Sequence, residues 1–493
     1  MRKLLVAALT LAFALSSSLA LGAEEVALIP GLQRYKLANG LEVYAYRDAA
    51  VPIARVQIVF KAGAIAQSAD NAGLFRLYER MLFRSSSGRA GAVDVKAALA
   101  SLGVSDWNGS VGTERVDYWI TVASSKVKEG IDFWAETLDP AAIESGAEDE
   151  ATLEAEKQAL CEEIRSHSAE PDSIYEGAMD KRLFAKYPWR RDSTGSEKAV
   201  SAATLDSLKS LASYFVPNNA ALFVGGDIDP EEVRAAAEAA FGSWRAGPDP
   251  WAKALPPHPR PGVARPTWIV YPDPSMPEGI GRIEARYRGP DLATDPASSC
   301  AADLWSALVA PASGRFKTAL TQNVPKLNKD SIAASYISQR DGGWISIASY
   351  FDVDPSSSAA NRAQAFKERV HGYESTSMKS DKSYFSEAEY ESARKGLLAN
   401  RDIATDTAEG MIETLAFWWA AASIDYYSGY PAAIAKIGPR EISAFLDTYI
   451  LRNLEVVALR MNPADVEKEK RSLSNAGFET VTPNNAYWWQ RKP

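Results

Sequence analysis

The chain has 493 residues, of which 46% are hydrophobic and 24% charged, enough for roughly two to four domains with sizeable apolar cores. This composition excludes a small disulfide scaffold, wholesale disorder and a polytopic membrane protein. With 54 Lys and Arg against 63 Asp and Glu, the net charge of −9 excludes a surface dominated by positive charge, and no nucleic-acid partner is expected.

At the N-terminus, Arg2 and Lys3 precede the apolar run Leu4 to Leu15, and small residues from Ser16 to Ala23 lead to Glu24-Glu25. That is the layout of a secretory signal peptide over 1–23, and its apolar run is too short for the ~20 residues a spanning helix needs. Export to the periplasm or beyond is expected, with no membrane contact after cleavage. The Asn39-Gly40 turn between Tyr35-Lys36-Leu37 and Leu41–Tyr46 predicts a hairpin. Arg55–Phe60 reads as a strand and Asn71–Phe83 as an amphipathic helix. A strand over Tyr118–Ala123, helices over Glu150–His167 and Ala199–Tyr214, a strand over Ala220–Val224 and a helix from Pro230 follow.

Nine of the 27 prolines then fall between Pro248 and Pro274. Such a run forms neither helix nor central strand and reads as a semi-rigid linker over 248–265. It separates a first part, 24–247, from a second, 266–480, with a tail at 481–493. The second part repeats the order: strand Ile283–Tyr287, helix Ala297–Leu308, strand Trp344–Asp352, helices Ala359–Val370, Glu387–Asn400 and Glu441–Tyr449, strand Leu454–Arg460. Tyr214 with Asn218, and Tyr449 with Asn453, precede the last strand of each part, which suggests an internal duplication. The expected fold is α+β: two homologous domains, each a mostly antiparallel sheet covered on one face by helices. Cys161 and Cys300, the only cysteines, fall in different parts and leave both a disulfide and two buried thiols open. Phe417-Trp418-Trp419 and Tyr426-Tyr427 suit either a binding chamber or a core, and Tyr487-Trp488-Trp489 either a docking segment or a loose tail.

Chemistry concentrates on the first long helix, where Arg76, Glu79 and Arg80 stand at i, i+3 and i+4 and so share one face. Glu156 and Glu163, seven apart, share a face of a later helix. On spacing alone such charges are mostly solvated ion pairs. The three histidines, His167, His258 and His371, are too far apart to form a compact metal motif.

The segment Gly73-Leu74-Phe75-Arg76-Leu77-Tyr78-Glu79-Arg80-Met81-Leu82-Phe83 resembles the insulinase/pitrilysin family of zinc peptidases, whose pattern is Gly-Leu-x-His-x-x-Glu-His-Met-Leu-Phe. Ala62-Gly63, Leu102-Gly103, Asn108, Tyr118, Gly195 after Tyr187-Pro188-Trp189, and Val224-Gly225-Gly226-Asp227 also match, and the likeness runs over about 31–465. It implies that Arg76 and Arg80 stand at the two zinc-histidine positions and Glu163 at the third ligand position. Glu156 then supports them, Glu79 holds the general-base position, and Asn108 is a candidate for the strand that meets substrate. Arginine stays protonated and has no lone pair to offer, so no zinc cofactor is expected, and Glu79 is left idle as a base.

In the second part, Ser313 to Thr321 resembles the family's substrate-holding stretch, but Thr321 replaces its Arg and no Tyr follows before Tyr336. The resemblance therefore implies a catalytically inactive homologue, a pseudoprotease. It would bind a peptide or unfolded polypeptide, or pair as a processing-peptidase-like heterodimer with an active insulinase-family partner subunit. Two other readings stand beside it: an active metalloendopeptidase with an atypical or partner-completed metal site, and a scaffold that binds no peptide.

Overall fold

The computed structural model describes residues 24–25, 29–85, 95–104, 106–138 and 150–490, and the expected signal sequence lies outside them. Thirteen strands form two sheets among the described residues. The first comprises β1 (Glu24–Glu25), β2 (Leu32–Lys36), β3 (Glu42–Arg47), β4 (Ile53–Phe60), β5 (Trp107–Val111), β6 (Val116–Ala123) and β7 (Ala220–Gly226), in the order β1-β2-β3-β7-β4-β6-β5. The second comprises β8 (Thr267–Pro272), β9 (Ile280–Arg288), β10 (Ala333–Ile337), β11 (Trp344–Asp352), β12 (Glu455–Met461) and β13 (Glu479–Thr480), in the order β10-β11-β9-β12-β8-β13. All neighbours are antiparallel except β3–β7, β8–β12 and β8–β13. The segments β3-β7-β4-β6-β5 and β8-β12-β9-β11-β10 correspond strand for strand in order and direction. The chain is thus two α+β units of one topology.

The longer helices of the first unit are α1 (Leu74–Ser85), α2 (Val95–Leu102), α3 (Val127–Thr137), α4 (Glu150–Ala169), α5 (Pro171–Leu183) and α6 (Pro230–Phe241). Those of the second are α7 (Pro296–Val309), α8 (Arg315–Asn323), α9 (Ala359–Lys367), α10 (Glu387–Ala404), α11 (Ala408–Ala421), α12 (Ile424–Ile434), α13 (Pro439–Leu446) and α14 (Pro463–Asn475). In chain order α1 corresponds to α7, α4 to α10 and α5 to α11. The helix expected over Ala199–Tyr214 is broken into short turns, because Thr204 caps a new helix start by accepting from the Ser207 amide.

Each sheet turns one face to its own helices. Val56, Ile58 and Phe60 of β4 and Leu222 and Val224 of β7 pack there with Leu77, Met81 and Leu160. Ile283, Ala285 and Tyr287 do the same with Leu304, Trp305 and Phe445. The opposite faces are covered by exchange. From the second unit, α11 lays Ile412, Leu415 and Trp419 on Tyr44, Val59 and Phe223. From the first, α5 lays Ile174, Ala178 and Met179 on Ile269, Val456 and Ala458. Gly225 makes this approach close: a Cβ there would lie 2.5 Å from Ile412.

Polar residues sit under both crossing helices. Arg55 donates to Glu409 at 2.6 Å, and Gln57 donates to Asp117 at 2.7 Å. Glu284, fully buried, accepts from Arg282, Arg286, Ser346 and Tyr175 at 2.7–2.9 Å.

Residues 248–265 contain no helix or strand, but β8 lies inside the proline-rich stretch and pairs on both sides. Pro266 precedes β8 and Pro272 ends it, so Trp268 to Tyr271 keep the amides a central strand needs. The connector is also fastened down: Arg190 donates to the Pro256 carbonyl at 2.6 Å, and the His258 amide donates to Asp341 at 3.0 Å. The tail docks on the first unit, where Tyr487 donates to the Ser168 carbonyl at 2.9 Å and Trp488 to Asp192 at 2.8 Å. Cys161 and Cys300 are both buried free thiols.

Candidate functional site

The helix carrying Arg76, Glu79 and Arg80 is seated by backbone packing. Gly73 has φ +96° and Gly195 φ +86°, and a Cβ on Gly195 would lie 2.3 Å from the Gly73 Cα, so glycine is needed at this contact. Gln67 ties the same place together, accepting from the Gly73 amide at 2.7 Å and donating to the Trp189 and Asp192 carbonyls. Leu74, Leu77, Met81 and Leu82 face the core, which turns the three charged residues toward α4 and the edge strand β5.

On α4, both Glu163 oxygens are engaged: Arg76 Nη2 donates to one and Arg80 Nη2 to the other. Arg80 Nη1 reaches Glu156, which is buried, at 3.3 Å. Arg76, Arg80 and Glu163 remain 28%, 31% and 37% exposed, so solvent screens these pairs and each contributes on the order of 1 kcal/mol. Glu79 sits deeper. Burial pushes its carboxyl up to about 7, against the downward pull of Arg76 and Arg80. Its Oε1 lies against β5, where a Cβ on Gly109 would approach it to 2.3 Å and the Tyr118 ring to 2.8 Å. Sequence reasoning missed Gly109, although an isolated glycine inside a strand is a signal of close approach. Asn108 also lies on β5, with its Oδ1 accepting from the Gly109 amide at 2.9 Å.

The zinc ion implied by the resemblance does not fit this donor set. Two guanidinium groups stand where lone pairs are needed, and they occupy both oxygens of the remaining carboxylate. Among the described residues no histidine joins the α4 carboxylates in a group that could hold a metal. His167 is half exposed one turn beyond Glu163 on α4, beside Glu170, His258 is buried in the connector against Phe184, and His371 lies beside Glu455 in the second unit. Among the described residues no group of three or more His, Cys, Asp and Glu side chains could hold a metal.

In the second unit Thr321 turns back on α8, donating to the Lys317 and Thr318 carbonyls at 3.0 Å. Tyr336 is buried, with its hydroxyl on Pro290 and Ser299. Neither is presented to the cluster on α1.

Residues 43–195 match the family model for insulinase, Peptidase family M16, and residues 203–397 match the model for the Peptidase M16 inactive domain. An uncharacterized zinc protease of Mycobacterium leprae is 27% identical over 214 residues, 43% of this chain and 46% of the relative. The match thus spans about half the length of the curated relatives. A putative M16-like peptidase from Alicyclobacillus acidocaldarius has the same fold, with TM-score 0.70 and 17% identity over 88% of this chain and 99% of that one. The first half of the periplasmic protease PqqL from Escherichia coli gives TM-score 0.69 and 15% identity over 91% and 96%. No helix among the described residues is long and apolar enough to cross a membrane. Two matched models over most of its length, on two units of one topology, place the chain in the insulinase family, Peptidase family M16.

Proposed function

We propose that this chain is an exported, non-catalytic insulinase-family subunit, divided at the connector 248–265, that holds peptide or unfolded polypeptide or pairs with an active zinc peptidase chain. The observation that carries this reading is the pairing of Arg76 and Arg80 with both oxygens of Glu163. The cluster fills the metal's place with a network that balances charge without metal. Peptide would add as a further strand beside β5 (Trp107–Val111), the edge strand of the first sheet among the described residues. Export is supported by the composition of residues 1–23 and by a fold neighbour described as periplasmic.

The test is metal content. Purified chain is expected to hold no zinc, and one tightly bound zinc per chain would overturn the reading. The double variant R76H/R80H frees Glu163 and supplies two imidazoles, so it is expected to take up about one zinc per chain. One observation favours the alternative, an active peptidase with a partner-completed metal site: the Glu79 carboxyl near 7 suits a general base. Chelator-sensitive proteolysis by the wild-type chain, alone or with a histidine-bearing homologue and lost in E79Q, would establish that alternative.

A further inference from the structure

The second unit keeps an open cavity at the place where the first unit packs its arginine–glutamate cluster. α7 and α10 correspond in topology to α1 and α4. Between them, and under α11 and α12, lies a cavity of about 490 Å³, within the ~300–1,000 Å³ typical of small-ligand sites. Asp303 stands on the second turn of α7, as Glu79 and Arg80 stand on the second turn of α1.

The walls are aromatic with four charged groups, Arg115, Asp303, Arg401 and Glu413. Phe417, Trp418, Tyr427 and Tyr430 supply apolar surface, and Trp418 and Tyr427 lie nearly parallel, 25° apart, with ring centroids separated by 6.1 Å. The Arg401 guanidinium stacks over Tyr427 at 4.1 Å, and no carboxylate among the described residues forms an ion pair with it. Asp303 accepts from Tyr430 at 3.0 Å, and no cation among the described residues neutralises it. Burial pushes the Asp303 carboxyl up to about 7, against the downward pull of the Tyr430 hydrogen bond. The first-unit wall is already balanced, since Arg115 pairs with Glu413.

We infer that this cavity binds a short zwitterionic peptide with apolar side chains: its ammonium on Asp303, its carboxylate on Arg401, and its side chains against Trp418 and Tyr427. An uncompensated guanidinium and an uncompensated carboxyl in one apolar cavity each cost desolvation. A ligand with the complementary charges recovers that cost where either charge alone does not. The inference is independent of the metal-free reading of α1, because none of these residues touches that cluster.

Calorimetric titration of the full chain with leucyl-leucine, N-acetyl-leucyl-leucine and leucyl-leucinamide tests it. The free dipeptide is expected to bind one per chain, and each blocked form at least about tenfold more weakly, the loss of one charged contact. R401Q is expected to abolish discrimination against the amide while keeping it against the acetylated form; D303N does the reverse. Thermal unfolding of both variants confirms that they fold, and a W418A chain should bind all three peptides more weakly. Equal binding of free and blocked peptides overturns the inference. So does no binding of the free dipeptide at millimolar concentration, or discrimination that survives in R401Q and D303N.

Discussion

The two units share strand order, helix order and a crossing helix lent to the partner sheet, yet they bury charge differently. Under α5, Arg286 and Glu284 are 2% and 0% exposed. Under α11, Arg55 is 5% exposed but its partners Glu409 and Glu413 are 65% and 45% exposed. The same exchange of helices therefore leaves Arg286 a buried carboxylate on its own strand besides the solvated Glu176, and pairs Arg55 with solvated carboxylates. Buried networks are costly to break because removing one member strands another without solvent, while exposed ones are buffered by water.

That contrast sets the largest expected effect. R286A leaves Glu284 buried with Arg282 as its remaining guanidinium partner and should cost about 3–5 kcal/mol, read as a drop in the urea midpoint. R55A strands two solvated glutamates and leaves the buried Gln57 Oε1 without its 3.0 Å donor, and its cost, including the lost stacking of the guanidinium over Trp119, should be about 1–3 kcal/mol. Equal losses in the two variants would mean that the crossing helices cover their sheets equally well.

Next in size is the pH response of the first unit. Glu79 moves from the usual 4.5 to about 7 and Glu114 to about 8, in both cases chiefly through burial. Both values are raised, so the native chain holds protons that the unfolded chain has released. The stability these groups contribute is present below pH ~4.5 and is lost as pH climbs through 7 and 8. A tenfold change in proton affinity between the folded and unfolded chain is worth ~1.4 kcal/mol, so E79Q should stabilise the chain at pH 8 by up to about 3 kcal/mol and flatten the profile between pH 5 and 8. A wild-type chain that grows more stable from pH 5 to 8 would contradict this sign.

The α1 cluster should matter less. E163A leaves Arg76 and Arg80 facing each other without their shared carboxylate, and a loss of about 1–2 kcal/mol that grows at low salt is expected. A salt-independent loss would point to packing instead.

Much of this was legible in the residues. Asn39-Gly40 marks the hairpin, the repeated strand and helix order marks the duplication, and the spacings of Arg76–Arg80 and Glu156–Glu163 bring those five groups to one place. The crossing helices were not legible, for a physical reason. Arg55-Val56-Gln57-Ile58 and Arg282-Ile283-Glu284-Ala285-Arg286 alternate polar and apolar, as half-solvated strands do, and a period of two records which side chains share a face but not what covers it. Phe417-Trp418-Trp419 and Tyr426-Tyr427 could be assigned only once α11 was seen to lie across the first sheet. Trp419 then belongs to the core beneath it, Trp418 to the cavity wall, and Tyr427 to both.

The smallest expected effect comes from the two cysteines and sharpens the comparison between the units. Cys161 packs in the first core, with Sγ 3.4 Å from Ser201 Oγ, and Cys300 in the second, with Sγ 3.5 Å from the Tyr426 hydroxyl. A disulfide would add about 2–4 kcal/mol by restricting the unfolded chain. With both thiols buried in separate cores, the units must be held together by the exchanged helices and the fastened connector. Two titratable thiols per chain in denaturant without reductant are expected, with an unfolding curve unchanged by dithiothreitol. A reductant-dependent loss of stability would place part of the inter-unit coupling in a covalent bond rather than in α5 and α11.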